Sequence, residues 1–400
     1  MDLSYTAGEI AFRDELGRFF RSAIPAEIRR KVSEGRALAR EDYVTSQKIL
    51  HANGLATPNW PVQWGGKDWS PVQRYIYIEE LQANAVPQPL GFNVNMVGPV
   101  IATFGSEEQK ARFLPPTASL DIWWAQGFSE PGAGSDLASL KTSARLEGEE
   151  FVVNGQKTWT TLGQYGDWIF CLVRTDPNAR KKQEGISFLL IDMKTPGITV
   201  RPIITIDGGH EVNEVFFDEV RVPAGNLVGQ LNRGWDYAKF LLSNERIGIA
   251  RIGMTKERLA RVKRLAKETP AGEGTVWDDP DFRRRLAWSE IELKALEITQ
   301  MRVVAAQRTK AADKPDPSSS ILKIRGSEIQ QQATQLLMEV AGPYAVPRPD
   351  RDEDGLNLPS VGPEWADAAA PLFFNYRKVS IYGGSNEIQR NIIAKAFLGL

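Results

Sequence analysis

Through the first 122 residues the apolar positions recur at helical spacing. Phe12, Leu16, Phe19 and Phe20 share one face of a 3.6-residue repeat, and the pattern predicts two further helices over 75–85 and 107–113. Prolines and glycines, among them Pro58, Pro61, Gly65, Gly66 and Pro87, punctuate the stretches between. From 123 to 233 the period shortens, and 168–173, 186–191, 198–203 and 215–222 read as strands. Phe151-Val152-Val153 runs into Asn154-Gly155 and on to Trp159, so a β-hairpin is expected to turn at the Asn-Gly pair. The spacing suits an antiparallel sandwich or barrel. From Gly234 the helical period returns and predicts helices over 235–268, 281–309 and 320–340, with 310–318 connecting the last two. Residues 342–372, rich in proline, glycine and acids, read as a long surface loop, and a last helix starts after Ser385 and ends at Leu398. The order helices, sheet, helices divides the chain at 1–122, 123–233 and 234–400.

Composition removes several classes of chemistry. The 400 residues carry 49 Lys plus Arg against 50 Asp plus Glu, a net charge of −1. Such a balance offers no electrostatic handle for nucleic acid or an anionic membrane. Cys171 is the only cysteine, and His51 and His210 the only histidines, so a disulfide, a thiolate zinc cage and a histidine metal site are not expected. Neither a Gly-x-Ser-x-Gly elbow nor a phosphate-binding Gly-x-x-x-x-Gly-Lys-Ser/Thr occurs. No leader pattern opens the sequence and no apolar run approaches the ~18 residues that span a bilayer, so a cytoplasmic enzyme is expected.

Four places could carry chemistry. Glu245 has Ala238, Leu241, Leu242, Ile249, Ile252 and Leu259 at helical offsets on either side, which sets it on the centre line of an apolar face. A carboxylate there loses solvation and its pKa rises toward that of a base working at neutral pH; the alternative is a carboxylate buried to pair with an arginine such as Arg251. The loop from Gly127 through Phe128, Ser129, Gly132, Gly134 and Ser135 to Asp136 exposes many backbone N–H groups, as a ligand cradle or as an ordinary turn. Trp159-Thr160-Thr161 could stack on and hydrogen-bond a ring, or simply be strand. Gly383-Gly384-Ser385 ahead of Glu387 is either an anion site or a plain helix cap. Eleven tryptophans, Trp123 and Trp124 among them, could line a wide pocket or fill the core.

Read in order, FSEPGAGSD, VNGQKTWTT, VFFDEVRVPAGNLVG, GWDYAKFLLSNERIGIAR and YGGSNEIQR resemble the acyl-CoA dehydrogenases over nearly the whole chain. The FLLSNERIGIAR and IYGGSNEIQRNIIAKAFLGL stretches are most similar to the large subunits of pimeloyl-CoA dehydrogenases, and less so to those of steroid side-chain dehydrogenases. The resemblance implies an N-terminal α-helical domain, a middle antiparallel β domain and a C-terminal four-helix bundle, with FAD between the last two. It implies that Phe128, Ser129, Trp159 and Thr161 flank the flavin ring, and that Ser385 and Glu387 meet the adenosine half. Ser135 would touch the phosphopantetheine of an acyl-CoA substrate, and Arg246 and Gly383 would lie on the substrate side. The implied reaction is α,β-dehydrogenation of an acyl-CoA, with a dicarboxylyl-CoA such as pimeloyl-CoA as one substrate and a steroid side-chain thioester as the alternative. Electrons then pass to an electron-transferring flavoprotein.

The departures from the family pattern carry information too. Where most members place the base in a Tyr-Glu-Gly turn, this chain has Tyr382-Gly383-Gly384; Glu245-Arg246 fits the minority that carry the base on the bundle helix. The family's Arg-x-x-Phe-Gly is replaced by Glu273-Gly274-Thr275-Val276-Trp277, and its Gln-x-x-Gly-Gly by Met338-Glu339-Val340-Ala341-Gly342. Both family motifs reach the FAD diphosphate. Their loss points to a heterotetramer in which a smaller homologous subunit supplies those contacts, the alternatives being a homotetramer or a non-catalytic structural subunit.

Overall fold

The computed structural model describes residues 4–244, 248, 250–307, 318–347 and 361–400. The N-terminal part packs helices α1 (Ala7–Ala23), α2 (Ala26–Glu34), α3 (Arg40–Ala52), α4 (Pro71–Ala83), α5 (Gly98–Phe104) and α6 (Glu107–Ser119). Their starts are set locally. Thr6, Ser70 and Ser106 each accept the N–H three residues on, while Glu9, Gln73 and Gln109 return the bond to the cap's own N–H. The face expected on α1 is the buried one: Leu16 and Phe20 pack with Leu50, Tyr75 and Ile76.

Seven strands make the middle sheet: β1 (Trp124–Gly127), β2 (Ser143–Glu147), β3 (Glu150–Thr161), β4 (Trp168–Arg174), β5 (Ile186–Asp192), β6 (Ile198–Ile203) and β7 (Val212–Pro223). Pairing is antiparallel for β2 with β3, β3 with β7, β6 with β7 and β4 with β5, whereas β1 runs parallel to β4. β4 and β5 read as unbroken apolar runs because both of their faces are covered. Phe170, Leu172, Phe188 and Leu190 face the N-terminal helices, and Ile169, Cys171, Leu189 and Ile191 face the inside of the β domain. Trp123 and Trp124 belong to the core rather than to a pocket wall: both are fully buried, and the Trp124 indole N–H donates to Thr117 Oγ1 at 2.8 Å.

The expected Asn-Gly hairpin is not there. The turn that joins β2 to β3 falls at Gly148, with φ +62°, and β3 continues straight through Asn154 and Gly155. Gly155 instead marks a bulge, where a Cβ would stand 2.6 Å from the Cα of Thr142. The Asn-Gly pair thus serves close approach of two backbones, the other use of glycine in a strand.

The C-terminal part holds α7 (Gly234–Asn244), α8 (Ile252–Glu268), α9 (Pro280–Gln307), α10 (Ser318–Ala341), α11 (Ala369–Asn375) and α12 (Asn386–Ile393). The single helix expected over 235–268 is two. Arg251, at φ +49°, precedes the first turn of α8, and the two helices bury against different partners. Ala238 and Leu241 of α7 pack with Phe170 and Phe188 of the sheet, whereas Ile252 and Leu259 of α8 pack in the bundle with Leu293, Leu336 and Leu337. The apolar stripe drawn through Glu245 is therefore not one helix face, and Leu242, expected within it, is 43% exposed. The long loop expected over 342–372 is also partly helical. Ala366, Ala369 and Leu372, on a short 3-10 turn and on α11, are buried against the bundle; 348–360 and most of the 310–318 connection lie outside the described residues.

Candidate functional site

The loop after β1 is fastened at its start. Gly127 lies so close to β4 that a Cβ would meet Cys171 Sγ at 2.2 Å. Phe128 is buried edge-on against Phe170 and Phe188. Beneath it Lys157 of β3 is fully buried and donates to the Glu130 carboxylate and to the Leu172 carbonyl, each at 2.8 Å, and to the Phe128 carbonyl at 3.2 Å. Burial alone would raise the pKa of the Glu130 carboxyl. The Lys157 ammonium and the N–H groups of Lys141 and Thr142 outweigh that and hold it below the ordinary carboxylate range. Cys171 plays no ionic part here, because burial pushes its thiol up to about 12.

β3 then breaks its ladder with β7 between Lys157 and Thr160. In the bulge Trp159 takes φ +59°, a left-handed conformation that disfavours a bulky side chain, and its indole stands 59% exposed. Thr158 N–H donates to the Ser129 carbonyl at 2.9 Å, which ties the bulge to the glycine-rich loop. Phe128 and Ser129 are thus brought beside the strand segment that carries Trp159, with Thr161 two residues on, paired with Val212. Ser135 lies farther along the loop in an exposed turn, where a Cβ on neighbouring Gly134 would meet nothing within 4 Å.

Gly383, Ser385 and Glu387 gather at the start of α12. Gly383 and Gly384 take φ +64° and +80°, and a Cβ on Gly383 would meet open space. Ser385 Oγ accepts the Ile388 N–H at 3.4 Å, so the expected cap is present. The carboxyl of Glu387 is held below its ordinary range by its own backbone N–H and by Ser385. Under this turn Lys323 of α10 is 3% exposed and donates to Asn386 Oδ1 at 2.9 Å; burial pulls its pKa down to about 8, against the opposing charge of Glu387.

A chain of bonds joins the two groups. Thr161 pairs with Val212, and Leu162 N–H donates to the carbonyl of Glu211 at 2.7 Å. The Glu211 carboxylate accepts Asn375 Nδ2 at 2.9 Å and is ion-paired to Lys378. The Lys378 carbonyl in turn accepts the N–H of Ile381 and of Tyr382. The end of β3 that bears Trp159 and the turn that bears Gly383 are therefore linked through Glu211 and Lys378.

Glu245 and Arg246 lie outside the described residues. The flanks are fixed on both sides. Leu241 is fully buried, and Ala250 sits against α10 so closely that a Cβ on Gly326 would come within 2.8 Å of its Cα. The start of α8 is held from α4: Glu79 Oε1 accepts the Gly253 N–H at 3.2 Å and Gln82 Oε1 that of Met254 at 3.3 Å. Burial raises the pKa of Glu79 to about 7; Lys256 opposes this and Glu297 reinforces it.

Sequence reasoning missed Lys157, Glu130, Glu211, Lys378 and Lys323. A lysine at a core-facing strand position is the one visible signal, but the bulges at Val153/Gly155 and Lys157/Thr160 shift the register, so counting residues along β3 does not give its face.

The helical, sheet and helical parts match the family profiles described as acyl-CoA dehydrogenase N-terminal domain over 6–121, middle domain over 125–220 and C-terminal domain over 232–398. The chain belongs to the acyl-CoA dehydrogenase family, whose members are FAD-dependent oxidoreductases. It is 36% identical to the acyl-CoA dehydrogenase IpdE1 of Mycobacterium tuberculosis over 355 residues, 88% of this chain and 86% of that protein. Among solved structures it is similar to a chain of the ChsE4-ChsE5 complex from Mycobacterium tuberculosis, at 32% identity and a TM-score of 0.83, covering 100% of this chain and 99% of that one. A chain of the Tcur3481-Tcur3483 steroid ACAD is likewise 32% identical, with a TM-score of 0.86 and the same coverage.

The residues fit the family's cofactor. A planar ring would find the exposed Trp159 and the tied Ser129 loop, and an anionic tail the open space at Gly383 ahead of the α12 N-terminus. Among the described residues no helix is long and apolar enough to cross a membrane.

Proposed function

We propose that this chain catalyses α,β-dehydrogenation of an acyl-CoA thioester, with Glu245 as the base that removes the α proton. The observation that carries the reading is Trp159, held exposed at a strained left-handed φ and bonded through its neighbour Thr158 to the Ser129 loop. Nothing in the packing of the sheet asks for an indole there, whereas a flat ring ligand does. Phe128, Ser129, Trp159 and Thr161 hold the flavin ring, Ser385 and Glu387 the adenosine half, and Ser135 the pantetheine arm. FAD, when bound, supplies the acceptor for the hydride that leaves the β carbon. An α proton beside a thioester is only weakly acidic, so charge developing on the carbonyl oxygen needs a hydrogen bond, which the Gly383 N–H donates. Arg246, next to the base, adds a positive charge on the substrate side. The electrons pass on to an electron-transferring flavoprotein.

The substrate reading favoured by the likeness to the steroid ACAD is a thioester with a bulky, steroid-derived acyl group, in preference to pimeloyl-CoA. The partner is a smaller homologous subunit, in a heterotetramer. Three features support this. Where an arginine motif is expected, Gly274-Thr275 folds into a two-residue hairpin with Pro270-Ala271 and brings no cation. The Met338 segment offers a thioether, and its neighbour Glu339 is engaged by Arg285 at 2.6 Å. On α9, Trp288, Ile291 and Ile298 form an exposed apolar stripe at helical spacing, a surface for another subunit. Co-expressing the chain with candidate small subunits and titrating the complex anaerobically with steroid-, dicarboxylyl- and monocarboxylyl-CoA thioesters tests the reading. Bleaching of the flavin by steroid-derived thioesters first supports it; a flavin that no thioester bleaches overturns it.

A further inference from the structure

Lys157 and Glu130 form a closed ionic knot. The ammonium uses its three donors on Glu130 Oε1, the Leu172 carbonyl and the Phe128 carbonyl, and the carboxylate also accepts Lys141 N–H at 2.6 Å and Thr142 N–H at 2.9 Å. One pair thus binds the loop after β1, the entry to β2, β3 and β4. A salt bridge shut away from water is a poor source of stability, since desolvation offsets most of its Coulomb attraction and apolar residues of similar volume often do as well. Packing at this place is already served by Phe128, Phe170 and Phe188. An apolar pair could not impose direction, and direction is what the knot supplies.

The Phe128 carbonyl is drawn inward to Lys157. Every peptide described is trans, so the N–H of Ser129, on the opposite side of that same peptide plane, is turned away from the knot. The Ser129 carbonyl then accepts the Thr158 N–H, and one residue later Trp159 swings outward in the bulge. From this geometry we infer that Lys157 and Glu130 are positioning residues for the flavin: they set the direction of the Phe128–Ser129 peptide and anchor β3 at the point where it presents Trp159. The inference rests on the flavin reading of Phe128, Ser129 and Trp159.

The test separates scaffold from positioning. In the co-purified complex, K157M, E130L and the double variant E130L/K157M are compared with wild type for thermal stability without FAD, FAD affinity, flavin absorption and the separate values of kcat and KM. Each single variant leaves an unpaired or hollowed site and lowers stability. The double variant is expected to recover most of that stability, while FAD binds at least tenfold more weakly, the flavin band shifts, and kcat falls with KM changed less. Recovery of stability together with wild-type affinity, spectrum and kcat would overturn the inference and leave the pair as scaffold alone. Should the double variant not fold, E130Q decides: a folded protein with tenfold weaker FAD supports the inference, and wild-type affinity overturns it. A wild-type complex that takes up no FAD under any condition fails earlier and sinks the flavin reading itself.

Discussion

The N–H of Thr158 donates to the carbonyl of Ser129 at 2.9 Å, and this bond, beside those of Lys157 to the Phe128 carbonyl and Glu130, ties the end of β3 to the glycine-rich loop after β1. The same strand carries Trp159 at φ +59° immediately afterwards. A non-glycine residue in this region costs about 1–2 kcal/mol. W159G is therefore expected to hold or raise the thermal stability of the protein without cofactor while weakening FAD binding by tenfold or more. Thermal unfolding and flavin fluorescence titration on one preparation check both halves. A loss of stability without loss of FAD affinity contradicts the role given to the ring.

Glu211 and Lys378 fasten the end of β3 at Thr161 to the segment leading into Gly383. Both side chains are about one-third exposed, so the pair contributes little stability, about 0–1 kcal/mol. Its removal by E211Q or K378M is expected to loosen FAD more than it lowers the melting temperature. A double-mutant cycle on FAD affinity, run at low and high salt, should give a coupling that shrinks as salt is added.

Glu79 gives a pH signature with a definite sign. Its folded-state pKa, about 7, lies above the ordinary 4.5, so the folded protein holds the proton more tightly than the unfolded chain. The stability this confers is complete below pH ~4.5 and is lost as pH rises through ~7. E79Q keeps an acceptor for the Gly253 N–H but cannot ionise. Its urea midpoint should match wild type near pH 4 and exceed it near pH 8, by at most about 3 kcal/mol of unfolding free energy. Parallel pH curves for the two proteins contradict the burial of an ionisable Glu79.

Gly326 lets α10 touch the chain at Ala250, five residues beyond Glu245. An added Cβ would come within 2.8 Å of the Ala250 Cα and 3.0 Å of its carbonyl oxygen, both backbone atoms that cannot swing aside. G326A is expected to cost about 1–3 kcal/mol in stability. Because the displaced backbone leads directly to the proposed base, the rate of flavin reduction by thioester should fall in the folded fraction. Stopped-flow absorbance reads that rate independently of the amount unfolded.

What could be read in the sequence was what is set locally. The cap at Ser385, the face of α1 and the 198–203 strand each depend on residues a few positions apart, and β6 has those very bounds. Elements fixed by distant partners were not legible. Asn154-Gly155 has the composition of a turn, yet Thr142 across the sheet makes it a bulge. The helix expected over 235–268 has no proline to stop it. It breaks at Arg251, where Gly253 and Met254 are capped by Glu79 and Gln82 from another domain and Ala250 is pressed on Gly326. For the site, motifs single out Phe128, Ser129, Trp159 and Thr161 as candidates; the buried Lys157 was not legible, because the two bulges in β3 erase the alternation that would reveal an inward lysine, and Glu130, Glu211 and Lys378 meet their partners only through the fold.

The central claim is that Glu245 takes the α proton, and E245Q tests it most directly. The co-purified complex is loaded with FAD, mixed anaerobically with a thioester that bleaches the wild-type flavin, and followed by absorbance. A Gln variant that retains FAD and binds the thioester but bleaches at least a thousandfold more slowly is the expected result. Bleaching at the wild-type rate would contradict the account and move the base elsewhere.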